Sequence, residues 1–277
     1  MPAARTPRGR LGPMTTPAPP TRAHSFNAAA AQYAANRPSY PQLLLDTLEE
    51  LAGRPLKGAR VADIGAGTGI ASALLHARGA RVTAVEPGGG MAAQFRASHP
   101  GIPLVRGDGD RLPLATASAD FLTYAQAWHW TDPAKAAPEA RRVLRPGGAL
   151  ALWWNITDHT APWLADQDAR IRDHLGVDVS AEQRAVAAGN GSGPTERGEH
   201  PWVDLPGLTF TERRIPHSRT VPLATHLANL GSHSAFLVLG EERTNAFMTR
   251  ERALLSELFP DGMVEERYVV HLRLALN

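Results

Sequence analysis

The chain of 277 residues contains no cysteine. That absence removes disulfides, thiolate nucleophiles, cysteine-bound zinc and iron–sulfur clusters, and with them radical chemistry at a three-cysteine cluster. No uninterrupted apolar run approaches the ~18 residues that a membrane span needs. Acids are missing from the first 45 residues, which hold Arg5, Arg8, Arg10, Arg22 and Arg37. That stretch carries +5 against a whole-chain net charge of +2, so the remainder is net acidic. The basic balance therefore comes from a tail and not from a nucleic-acid face. Residues 1–24, rich in Pro, Arg, Thr and Ala, lack the apolar centre of a secretory signal and read as a disordered tail. The expectation is a cytoplasmic protein acting on a small molecule, with no nucleic-acid or membrane partner.

What is present is an alternation of strand and helix patterns. "PQLLLDTLEELAG" reads as a helix with Pro41 at its start and Gly53 just past its end. "ARVADIG", "ARVTAVEP", "IPLVRGD", "ADFLTYAQA" and "ALALWWN" are short apolar runs of the kind that both-face burial requires. Helical segments separate them, one of them "DPAKAAPEARRVLRPGG", closed by Pro146-Gly147-Gly148. This order implies an α/β fold, a mostly parallel sheet with helices on both faces. Residues 25–277 read as one domain, with a core at 56–155 and a small helical cap or insertion at about 157–206. Beyond it, "LTFTERRIPHSRTV" and "ERYVVHLRLAL" read as strands, and "LATHLANLG" and "EERTNAFMTRERALLSELF" as helices.

The sharpest chemical signal is "VADIGAGTG", a strand, then Asp63, then Gly65, Gly67 and Gly69 at a helix start. Glycines there let a ligand approach backbone, and the helix N-terminus offers amides. Such turns hold either a dinucleotide or S-adenosylmethionine. The dinucleotide fingerprint wants a third glycine where Ile70 stands. Asp63 sits poorly beside a pyrophosphate and well beside an ammonium group. Glu86 ends the second strand, where an acid accepts ribose hydroxyls of either cofactor. Asp108 suits the exocyclic amine of adenine, the Gly109 amide a ring nitrogen, and Leu112 the ring face. A nicotinamide-dependent oxidoreductase and a non-catalytic cofactor binder are the competing readings.

"VADIGAGTG", "VEPGGGM", "GDGDRLPL", "SADFLTYAQAWHW" and "EARRVLRPGGALAL" together resemble the class I S-adenosylmethionine-dependent methyltransferases, most of all the bacterial small-molecule group of type 11. The resemblance implies a Rossmann-like, seven-stranded, mostly parallel sheet whose last strand is antiparallel. It implies methyl transfer from S-adenosyl-L-methionine, with S-adenosyl-L-homocysteine as product. It places Asp63, Gly65, Gly67 and Gln126 near the methionine part, Glu86 at the ribose, and Asp108 and Gly109 at the adenine, with Ala66, Pro87 and Met91 also among the cofactor-binding residues. "FNAAAAQYAANRPSYP" is similar to the N-terminal helix of that group, which gives Tyr33 and Arg37 a place over the cofactor, with Arg37 suited to its carboxylate.

"AQAWHWTDP" follows the fourth strand, where donor and acceptor meet in this fold. His129 is the candidate catalytic base, with Trp128 and Trp130 as a dry pocket wall. No metal is expected, since Gln126 occupies the position where a metal-assisted reaction would want an acid. Alone, His159, His217, His226 and His233 each read as surface histidines. The stretch "LGSHSAF" offers an acceptor contact or a plain helix-to-helix turn, and His233 is placed in the substrate pocket. Trp163 and Trp202 are expected in the cap over a small apolar acceptor, with helix packing the alternative for Trp163.

Overall fold

The computed structural model describes residues 30–176, 205 and 207–277. The N-terminal tail and residues 177–204 of the expected cap, Trp202 among them, lie outside the described residues.

The N-terminal helix α1 (Ala30–Asn36) leads into α2 (Gln42–Ala52). Pro41 stands at the N-cap of α2, and Gly53, at φ 60°, closes it in the left-handed conformation. The core then runs β1 (Arg60–Ile64), α3 (Ile70–Ala77), β2 (Arg81–Glu86), α4 (Gly89–Ser98), β3 (Leu104–Arg106), β4 (Ala119–Ala125), α5 (Pro133–Val143) and β5 (Leu144–Thr157). A 3₁₀ turn, Trp128–Trp130, sits between β4 and α5. The rest is α6 (Pro162–Leu175), β6 (Thr211–Pro222), α7 (Leu223–Gly231), α8 (Ser234–Leu239), α9 (Glu241–Leu258) and β7 (Met263–Leu276).

Seven strands form one sheet in the order β3-β2-β1-β4-β5-β7-β6. β1 to β5 pair in parallel, and β7 runs antiparallel to both β5 and β6. The Rossmann-like sheet with one antiparallel strand is therefore present. The ends of β1 and β4 meet where the strand order reverses, the crevice at which open α/β sheets bind ligands.

Strand parity assigns the two faces. In β5, Leu150, Leu152, Trp154 and Ile156 join the core beneath α5, with Tyr124, Trp128 and Ala136. Ala149, Ala151 and Trp153 point the other way, toward Leu44, Leu48, Leu75 and Phe95 of the opposite helices. The adjacent tryptophans of "ALALWWN" thus serve different cores.

β5 begins earlier than its apolar run suggests. Helix α5 stops at Val143, and Leu144 pairs at once with Ala119. The register then jumps to Phe121↔Ala149, so Arg145 to Gly148 bulge out. Asp120 secures the bulge, taking the guanidiniums of Arg145 and Arg60.

Of the expected cap or insertion at about 157–206, α6 is the described helix, and it packs with helices from elsewhere in the chain. α6 follows β5, whereas α7, α8 and α9 come from between β6 and β7. Ile171 of α6 packs with Leu230, Phe236 and Phe247 of those helices. Trp163 stands edge-on to His226 and Phe259, at 5.5 and 5.1 Å, as a helix-packing residue. No described helix is long and apolar enough to cross a membrane.

Candidate functional site

The turn after β1 is shaped by three glycines in the left-handed region, Gly65 (φ 66°), Gly67 (φ 58°) and Gly69 (φ 96°). The amides of Gly65 and Ala66 both donate to the Val85 carbonyl, at 2.8 and 3.1 Å, which ties the turn to β2. A Cβ on Gly65 would stand 2.5 Å from Ala127 Cβ, so the turn packs directly on the loop after β4. Glu86 is buried, and its carboxylate takes the Gly67 amide at 2.9 Å and the Gly88 amide at 2.6 Å. Pro87 beside it is exposed, its carbonyl accepting from Arg106, and Met91 is buried on α4.

Asp63 is wholly buried. Oδ1 accepts from Thr123 at 2.8 Å and Oδ2 from Ser72 at 2.6 Å, which pins the end of β1 to β4 and to α3. Burial pushes its carboxyl up to about 6, against the pull of both hydroxyls. Sequence reasoning overlooked Ser72 and Thr123, although a lone hydroxyl in a buried apolar run needs a partner.

At the far end of the crevice, Asp108 is exposed. Its Oδ1 accepts the amides of Asp110 and Arg111, both at 3.0 Å, and so shapes the loop. Gly109 is buried, and a Cβ there would meet Thr131 Cγ2 at 2.6 Å. Leu112 is buried, its amide held by Glu139 at 2.8 Å.

Helix α1 packs against α4 and α7 and brings Tyr33 and Arg37 over the near end. The Arg37 guanidinium lies 4.7 Å from the Tyr33 ring centre and donates from Nη2 to the Ser232 carbonyl at 3.3 Å. Its Nε is buried with no hydrogen-bond partner. Tyr40, unnoticed in the sequence, stands edge-on to Trp153 at 5.8 Å. Its hydroxyl pKa is raised by burial, by Tyr33 and by Asp63, and lowered by Arg37, so each of these three groups lies within electrostatic reach of Tyr40.

The stretch after β4 divides. Gln126 has φ 58° and its amide donates to the Trp153 carbonyl at 2.8 Å. Trp128, expected to line a pocket, is 0% exposed and sits in the core, edge-on to Tyr124 at 4.8 Å. A ring buried on all sides cannot wall an open pocket. Trp130 is 40% exposed and leans on His129 at 4.7 Å. His129 Nδ1 faces the Trp154 indole Nε1 at 3.4 Å, and burial lowers its pKa to about 4.

The histidines of the last third are not the surface groups that the sequence suggested. His226 is buried, with Nδ1 at 2.8 Å from Glu266 Oε1. Glu266, 1% exposed, also takes Arg219 Nε at 2.5 Å, Asn229 Nδ2 at 3.3 Å and the Tyr268 hydroxyl at 2.9 Å. Burial acts to raise the Glu266 pKa, but His226 and Arg219 outweigh it and hold the carboxylate at about 2. Gln167 carries the network onward, donating to His226 Nε2 at 3.0 Å and to Glu251 Oε1 at 2.9 Å, and Arg170 forks onto Glu251 at 2.8 and 2.6 Å. His217 reaches Asn155 at 2.8 Å and stacks on Tyr268, and His159 pairs with Asp168. Burial, with Arg37 and His226 nearby, holds the His233 pKa well below 6.5. Strand alternation does signal Glu266, which shares parity with buried Val264, Val270 and Leu272. Among the described residues no group of three or more His, Asp or Glu is arranged to hold a metal.

Residues 62–152 match the family model described as a methyltransferase domain. An uncharacterized methyltransferase of Mycobacterium tuberculosis is 44% identical over 142 residues, covering 51% of this chain and 56% of that protein. The chain thus spans about half the length of the curated relatives it matches. Among solved structures, a protein assigned as a type II methyltransferase from Anaeromyxobacter dehalogenans superimposes with a TM-score of 0.60 at 24% identity, over 87% of this chain and 97% of that one. Haemonchus contortus phosphoethanolamine N-methyltransferase 2, solved with phosphomonomethylethanolamine and S-adenosylhomocysteine, gives 0.51 at 13% identity, over 91% of this chain and 57% of its own. At these identities the structural likenesses establish the fold.

Proposed function

We propose that this chain, whose residues 62–152 match the methyltransferase-domain model, is a class I methyltransferase that moves a methyl group from S-adenosylmethionine to a small-molecule acceptor. The observation that carries the choice of cofactor is the orphaned Nε of Arg37, a buried donor whose guanidinium shares Tyr40 as an electrostatic neighbour with Asp63 of β1. A buried guanidinium N–H without an acceptor is costly, and an α-carboxylate supplies one. A nicotinamide riboside carries no carboxylate at that end. Ile70, in place of the third fingerprint glycine, argues the same way.

When bound, S-adenosylmethionine supplies a methyl carbon already activated by a sulfonium. The protein's work is then alignment and exclusion of water. Arg37 and Tyr33 would hold the carboxylate end, with Asp63 behind the glycine turn as a buried negative charge. Glu86 would take the ribose hydroxyls, exchanging one of its backbone amides for them. The Asp108–Gly109 loop would take the adenine, with Leu112 behind it. His129 is neutral near pH 7, and its Nδ1 is engaged by Trp154. Its Nε2 therefore carries the proton, which makes it a hydrogen-bond donor rather than a base.

Titration calorimetry with S-adenosylmethionine, S-adenosylhomocysteine and NAD tests this reading. The two adenosyl compounds should bind and NAD should not. Binding of NAD alone would overturn it. A labelled-methyl assay against extract metabolites would then separate an enzyme from a non-catalytic binder.

A further inference from the structure

Between α6, α7, α8 and β7 lies a cavity of about 70 Å³. It is about half the ~150 Å³ of a closed apolar cavity that holds benzene, so it takes one end of a molecule and leaves the rest of the skeleton outside. Leu164, Ile171 and Phe236 make one side apolar, and Asn229, His233 and Tyr268 line the other. The polar side adjoins the cofactor crevice, because the carbonyl of Ser232, next to His233, is the one that holds Arg37.

The hydrogen bonds along that side leave one group over. The Tyr268 hydroxyl donates to Glu266 and accepts from Asn229 Nδ2 at 3.1 Å. Glu266 is a carboxylate and only accepts. The amide nitrogen of Asn229 must therefore face Glu266 and Tyr268, and flipping the amide would set oxygen against oxygen. This fixes the identity of the remaining atom, Oδ1. It is buried and has no partner, on a side chain only 5% exposed. Native proteins seldom leave a buried acceptor without a donor. His233 lines the same space, and among the described residues its imidazole has no hydrogen-bond partner.

The carboxylates nearby already have partners. Glu266 is ion-paired with Arg219 and hydrogen-bonded by His226, and Asp168 is hydrogen-bonded by His159. An anion would meet an orphan acceptor backed by Glu266, and the one polar atom left over, Asn229 Oδ1, calls for a neutral donor. Resting on the methyltransferase reading above, we propose that this cavity seats the donor-bearing end of the methyl acceptor, a neutral O–H or N–H group on an apolar carbon skeleton, whose hydrogen is taken by Asn229 Oδ1. Asn229 is then the residue that selects for a donor-bearing acceptor.

Phenol and toluene, alike in shape and differing in the donor, test this on the full chain by calorimetry, with and without saturating S-adenosylhomocysteine. Phenol should bind at least about tenfold more tightly than toluene, since a site built for a hydroxyl rejects the analogue that lacks one. Asn229→Leu should reduce that preference to about twofold or less. Ala235→Phe, which puts a ring on the cavity lining, should abolish phenol binding. Circular dichroism would establish that each variant is folded. Equal affinity for the two compounds, no binding of phenol, or an undiminished preference in Asn229→Leu would overturn the proposal and leave the cavity to water. Failure to bind S-adenosylhomocysteine would instead sink the methyltransferase reading, with the phenol–toluene comparison still readable on the free protein.

Discussion

The indole N–H of Trp154 points at His129 Nδ1 across 3.4 Å, and of the two rings only the indole must donate. On the proposed reading, that contact sets the histidine tautomer and makes His129 a donor where a base was one of the expectations. His129→Gln should therefore keep turnover within about tenfold, because losing a true general base costs ~10²–10⁴-fold. Steady-state rates on an identified acceptor check this, and a thousandfold loss would restore the base. The same residue has a pH signature. Burial holds its pKa at about 4, below the ordinary 6.5. Between those values the unfolded chain binds a proton that the folded chain refuses. Its stability contribution is thus complete above pH 6.5 and is lost as pH falls toward 4, by roughly 2–3 kcal/mol. Thermal midpoints from pH 4 to 7 should flatten in His129→Gln.

Glu86 joins the Gly67 and Gly88 amides through one buried carboxylate. Glu86→Ala removes both bonds and, on the proposed reading, the acceptor for a ribose. Affinity for S-adenosylhomocysteine should fall about 10–100-fold, on the order of two charge-assisted hydrogen bonds. Calorimetry reads this directly, and an unchanged dissociation constant would exclude Glu86 from the site.

Gly109 has no room for a Cβ, with Thr131 Cγ2 at 2.6 Å and Tyr124 Cε1 at 3.3 Å. Gly109→Ala should cost about 1–3 kcal/mol through overpacking. Thr131→Ser removes the nearer carbon and should recover a good part of that loss in the double variant. Denaturant midpoints of the four proteins in this cycle measure the coupling, and strict additivity would reject the contact.

Glu266 is the acceptor on which Arg219, His226, Asn229 and Tyr268 converge. Glu266→Ala strands a guanidinium in a largely buried site and should destabilise by about 3–5 kcal/mol. Because its folded pKa is about 2, below the usual 4.5, its contribution is present above pH 4.5. It is lost as pH falls through 2. An acid titration followed by circular dichroism should show the variant insensitive in that window.

The legible parts of the chain were those with local causes. The glycine turn announced itself because positive φ and close approach demand glycine within a few residues. The strands could be read because both-face burial leaves short apolar runs. The boundary of β5 could not, since the Arg145–Gly148 bulge depends on Asp120 in another strand. Trp128 looked like a pocket wall because a ring after a strand end has no sequence mark separating core from crevice. His226 looked exposed because its partner Glu266 lies 40 residues away.

By itself, the sequence determined the order of strands and helices, the turn at Gly65 to Gly69 and the acids at the ends of β1 and β2, since period and turn chemistry act over a few residues. Only the tertiary structure decided which polar groups meet. It set Trp153 and Trp154 on opposite faces and gave Trp154 to His129. It left one nitrogen of Arg37 and one oxygen of Asn229 buried without partners. Hydrogen-bond satisfaction is a property of the whole packed chain: donors and acceptors far apart in sequence are matched, or left over, only when the elements close on one another.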